Sequence, residues 1–115
     1  MWYPTGDEPY YLLIAHSLIH DGDIELSNNF DNKDYWHYYP GELYPRHEAK
    51  TTAPGLYSKH APGVALLIAP AYAVLDWAGG DYVFNVIGAL LAVNIYLLAY
   101  QVARKQWVAL LLWLT

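Results

Sequence analysis

The chain has 115 residues, room for about one compact domain, and its 11 acidic against 6 basic side chains leave a net charge of −5, which argues against a nucleic-acid partner. Hydrophobic residues make up 56% and charged residues only 15%, against roughly 25% in an ordinary soluble domain, so the composition points toward a membrane. With no cysteine, disulfide frameworks, thiolate zinc sites and thiol chemistry are excluded.

The charge is unevenly placed. Residues 1–60 hold nine acids and four bases with most of the Tyr and Pro, whereas 61–115 hold two of each in a nearly continuous apolar run. The N-terminus, MWYPTGDEPYY, lacks the basic and apolar regions of a signal peptide.

In chain order, Thr5-Gly6-Asp7-Glu8-Pro9 reads as a helix start, with Thr5 and Glu8 at capping-box spacing and Pro9 in the first turn. A helix over about 8–21 follows, with Leu12, Ala15 and Ile19 forming an apolar stripe and Gly22 closing it. Residues 23–57 lose periodicity and read as a long aromatic loop containing Tyr35, Trp36, Tyr38, Tyr39 and Tyr44.

Pro62 opens a second helix to about Ala78, ended by Gly79-Gly80; at roughly 26 Å it is short for a bilayer and suits an interfacial or re-entrant position. Tyr82–Ala103 is long enough to cross, and Trp107 begins another apolar run. Asn85, Gly88 and Ala92 mark one face of the span for packing against another helix. Arg104-Lys105 are the bases beside the span, so the positive-inside rule puts them in the cytoplasm and residues 1–81 outside the cell. The expected domains are a loop region, 1–61, a juxtamembrane or re-entrant helix, 62–80, and a transmembrane part, 81–115. Because Thr115 falls inside an apolar run, the chain is expected to be the N-terminal fragment of a multi-pass protein, with a span upstream of Met1 and several beyond Thr115.

Adjacent Asp7 and Glu8 can serve as a general base for an acceptor hydroxyl or as ligands for a divalent cation, or simply as helix-start residues. His16 and His20, four apart on one helix face, are weaker metal candidates. The acidic turns at 21–25 and 31–34 lack the spacing of a calcium loop. Lys59 and His60, beside a helix start, suit a lipid-linked phosphate, or snorkel to headgroups. The rings around Tyr35–Tyr39 suit sugar stacking or an interfacial belt.

Gly6-Asp7-Glu8-Pro9-Tyr10-Tyr11, Ala15, Gly22-Asp23 and Lys59-His60-Ala61-Pro62-Gly63 before LLIAPAYAVL together resemble the start of GT-C-type membrane glycosyltransferases. The likeness is to the family-39-like group of protein O-mannosyltransferases and aminoarabinose transferases, and it covers nearly the whole chain. It implies an all-α membrane protein whose extracytoplasmic loop carries two juxtamembrane helices, followed by transmembrane helices. It also implies transfer of a sugar from a polyprenyl-phosphate donor to an extracytoplasmic hydroxyl. Asp7 would be the catalytic base, Glu8 its neighbour, and Lys59 or His60 the donor-phosphate contact, in place of the family's Lys-Pro-Pro. Tyr10, Tyr35, Trp36 and Tyr57 would be sugar or acceptor contacts. The implied partners are the lipid-linked donor, membrane lipids and the remaining transmembrane helices, with a divalent metal as the one possible cofactor. The alternatives are a small non-catalytic membrane protein whose loop binds a partner or glycan, and a transporter using Asp7 or Asp76 as an ion ligand.

Overall fold

Helix α1 spans Glu8–His20, with Pro9 in its first turn, where a missing N–H costs least. The capping box expected from Thr5 and Glu8 does not form. Asp7 stands at the N-cap without a side-chain capping bond, and the Glu8 N–H instead donates to the Thr5 carbonyl at 3.2 Å. At the other end the Asp21 and Gly22 N–H groups both donate to the Ser17 carbonyl, with Gly22 at φ +78°, a conformation that favours glycine.

The computed structural model describes residues 3–45 and 53–114, apart from the Leu112 side chain. After α1 come α2 (Ser27–Asp31), α3 (Gly63–Leu75), α4 (Ala78–Ala103) and α5 (Gln106–Leu114). The fold is all-helical: among the described residues the only sheet-like feature is an isolated antiparallel bridge between Glu25 and Tyr57. The chain divides into two compact units, Met1–Asp81 and Tyr82–Thr115.

In the first unit, α1 packs on α3. Leu12, Leu13, Ile14 and Ala15 of α1 are buried with Ala65, Ile68, Ala69 and Tyr72 of α3. Four consecutive buried residues cover more than one helical face, so α1 is enclosed on several sides and does not carry the narrow stripe its sequence suggests. The loop supplies the other walls with Leu26, Tyr35, Tyr38 and Leu43. Its course is not irregular throughout. The short helix α2 forms although Ser-Asn-Asn-Phe-Asp has poor helix propensity, because the Asp21 carboxylate accepts hydrogen bonds from the Asn28 and Asn29 amides at 3.1 and 2.8 Å. The part of the loop from 46 to 52 lies outside the described residues.

Helix α3 ends at Leu75, three residues before its expected end. Asp76 turns the chain at φ +57°, ψ −151°, and its carboxylate accepts the Trp77 N–H at 2.8 Å. The glycine pair then opens α4 and does not terminate α3. A Cβ on Gly79 would lie 2.5 Å from the Ala71 carbonyl carbon, so the side chain is absent to let two backbones approach. Helix α4 therefore starts a turn earlier than Tyr82 and its 26 residues extend roughly 39 Å. It is long and apolar enough to cross a membrane by length and composition.

In the second unit, the rest of α4 is followed by Arg104 at φ +50° and then by α5. Asn94 satisfies its amide on α4 itself, donating to the Leu90 carbonyl at 2.7 Å.

Candidate functional site

The two motifs singled out at opposite ends of the first 60 residues meet. The Asp7 carboxylate lies 3.9 Å from His60 Nε2, the Asp7 side chain 58% exposed and the His60 side chain 10%. His60 is held by rings on α1, with centroids of Tyr11 and Tyr10 at 5.0 and 5.8 Å. Glu8 and Lys59 are exposed neighbours of the pair. A half-buried imidazole against an exposed carboxylate gives one group that can take a proton and one that can carry positive charge.

The segment carrying His60 is anchored by a residue absent from the sequence-derived candidates. Glu25 Oε1 accepts the Leu56 N–H at 2.6 Å and both the N–H and hydroxyl of Ser27. The Leu26 N–H in turn donates to the Leu56 carbonyl at 2.8 Å. These bonds hold the Glu25 carboxyl below its ordinary range, chiefly through Ser27. Gly55, at φ +117°, leaves room for the Glu25 side chain, which a Cβ there would meet at 2.7 Å. Ser17, buried in α1, fixes the other side of the crossing by bonding to Asp23 and to the Glu25 carbonyl.

The four aromatic residues expected as sugar or acceptor contacts differ in their surroundings. Tyr35 is 2% exposed, so its ring is core and unavailable for stacking. Tyr10 is also buried, its hydroxyl donating to the Tyr44 carbonyl at 2.6 Å; its part in the site is to wall His60. Trp36 is 47% exposed, but the Lys33 ammonium sits 4.9 Å from its ring centroid, over one face. Tyr57 is half-buried and lines a cavity of about 30 Å³ with Ile14, Ser58, His60 and Pro62, a space of one water's size.

The rings of the weaker metal candidates His16 and His20 lie tilted against each other, 4.2 Å between centroids. His16 Nδ1 is 3.1 Å from the Tyr72 hydroxyl, and its Nε2 is 3.7 Å from Asp34. Burial, reinforced by His20, lowers the His16 imidazole below its ordinary value. Burial also raises the Tyr72 phenol far above its usual range, with Asp76 adding to the rise. Among the described residues, no group of three or more His, Asp or Glu is arranged to hold a metal ion.

No protein-family model, curated protein or solved structure matches this chain.

Proposed function

We propose that this chain supplies the acceptor-activating loop of a membrane glycosyltransferase that uses a polyprenyl-phosphate sugar. The observation that carries the proposal is the approach of Asp7 to His60. It joins a carboxylate able to act as a base to the Lys59-His60 pair, whose charge suits a departing phosphate. In the reaction, Asp7 takes the proton of an acceptor hydroxyl as that oxygen bonds to the anomeric carbon. The bond from that carbon to the phosphate oxygen breaks, and its electron pair leaves with the polyprenyl phosphate. Lys59 and His60 lie beside the phosphate and offset the charge it gains. Glu8 orients Asp7, and the two carboxylates offer oxygen ligands to a divalent cation.

The membrane setting belongs to the same proposal. Helix α4 crosses the bilayer, Arg104-Lys105 lie in the cytoplasm and residues 1–81 lie outside. The outward face of α3 supports a position at headgroup level, since Leu66, Leu67, Val74 and Leu75 are all exposed. A donor anchored by its lipid tail then arrives at the depth of the Asp7–His60 pair.

The test is transfer from a radiolabelled polyprenyl-phosphate sugar in membranes that contain the protein at its natural length. Asp7→Asn is expected to lower transfer by about 10²–10⁴-fold with unchanged membrane abundance. Unchanged transfer overturns the assignment, as does labelling of an engineered cysteine at position 5 from the cytoplasmic side alone.

A further inference from the structure

Nine residues along α1 from Asp7, about 14 Å at the helical rise, His16 opens onto a second and larger pocket of about 340 Å³. Its polar wall consists of His16, His20, His37, Tyr72 and Asp76, drawn from α1, the loop, α3 and the corner after α3. Ile19 and Val74 supply an aliphatic wall. The polar side chains hold one another in place. His37 Nε2 lies 3.1 Å from Asp76 Oδ1, and His16 Nδ1 lies 3.1 Å from the Tyr72 hydroxyl.

The chemistry of this lining narrows the ligand. Among the described residues no Lys or Arg lines the pocket, Asp76 is in its wall, and Asp34 stands 3.7 Å from His16 Nε2, so an anion meets negative charge. A metal ion is disfavoured because, among the described residues, no group of three or more His, Asp or Glu converges to hold one. What remains is a set of groups that donate and accept at once, facing an apolar wall. A neutral imidazole offers one donor and one acceptor, a phenol the same, and a carboxylate accepts from two hydroxyls. A hydroxylated ring complements this pattern, its hydroxyl edge meeting the polar wall and its C–H face the aliphatic one. The pocket volume lies at the lower end of small-ligand sites, which suits a single ring.

We infer that the His16–His37–Asp76 pocket binds a neutral pyranose. This goes beyond the transfer reaction and needs neither Asp7 nor His60.

The test follows the imidazole NMR signals of the 115-residue chain in phosphatidylcholine nanodiscs during titration with methyl α-D-mannopyranoside and methyl β-D-glucopyranoside. Saturable shifts are expected at His16, His20 and His37 for at least one sugar, half-complete at on the order of 1–10 mM, with His60 unmoved. Asp76→Asn keeps a residue that tolerates positive φ and an oxygen for the Trp77 N–H, and is expected to weaken the response at least about fivefold. If that variant fails to fold, His37→Gln is expected to weaken it to a similar degree. The inference is overturned by the absence of a saturable shift for both sugars at about 100 mM, or by equal movement of His60. It is also overturned if zinc chloride or inorganic phosphate, and neither sugar, saturates these imidazoles. Because the readout is binding, a failed transfer assay leaves this result standing, and the converse holds.

Discussion

Asp7 and His60, 53 positions apart in sequence, face each other across 3.9 Å at the entrance to α1. If they act as one unit, their substitutions do not add. Asp7→Asn and His60→Gln are each expected to depress sugar transfer strongly. The double variant is expected to be little worse than the more damaging single one, with a coupling of about 0.5–3 kcal/mol in a double-mutant cycle. Additive losses would separate the two roles.

The Glu25 crossing predicts a local effect. Glu25→Ala removes the acceptor for the Leu56 and Ser27 N–H groups and leaves the buried face of α1 untouched. Amide exchange at Leu56 and Ser27 is expected to accelerate at least about tenfold, while Leu13 and Ile14 stay protected. Uniform acceleration would place Glu25 in global stability.

Gly79 and Gly63 form a matched pair for testing close approach. Gly79→Ala puts a methyl group 2.5 Å from the Ala71 backbone, whereas a Cβ on Gly63 meets nothing within 4 Å. Urea unfolding in detergent is expected to show a loss of about 1–3 kcal/mol for the first and under about 0.5 kcal/mol for the second.

Among the loop aromatics, Tyr35→Ala is expected to cost about 3–5 kcal/mol, since it empties a fully buried ring site. Trp36→Ala is expected to cost under about 1 kcal/mol, its ring being exposed and held mainly by Lys33. Thermal unfolding of the two variants decides this.

Acid should act in two windows. The folded state holds His16 below its ordinary value of 6.5, so the unfolded chain takes up that proton first and stability falls as pH drops below about 6.5. His16→Gln is expected to flatten this first slope. Glu25 and Asp21 are also held low, by Ser27 and Asn29 respectively. Asp76 is low as well: burial opposes its charge, but His37, the Trp77 N–H and Tyr72 together outweigh it. These three contribute stability above their ordinary carboxyl range and lose it as pH falls through the depressed folded values, giving a second, lower window. Chemical denaturation followed from pH 8 to pH 3 measures both slopes.

Much of the helical framework was legible in the sequence, because Pro9, Pro62 and sustained apolar runs are local signals. The loop was not. Tyr35, Tyr38 and Leu43 are buried by partners far along the chain, and no local period records that. Gly79-Gly80 misled for a related reason, since a glycine pair looks the same whether it ends a helix or lets two backbones touch. The residues of the Asp7–His60 site were named from two separate motifs, but their meeting depends on how Glu25 and Gly55 guide the intervening segment. The His37–Asp76 contact had no sequence signal, because an exposed histidine and an aspartate 39 positions apart are individually unremarkable.

Helix α4 presents Phe84, Ile87, Leu91, Ile95 and Leu98 to its surroundings. In plain buffer such a rod would gather copies of itself indiscriminately. Sedimentation or cross-linking without a surfactant or bilayer disc would therefore weigh clumps and not native assemblies, and a surfactant or bilayer disc belongs in every such measurement.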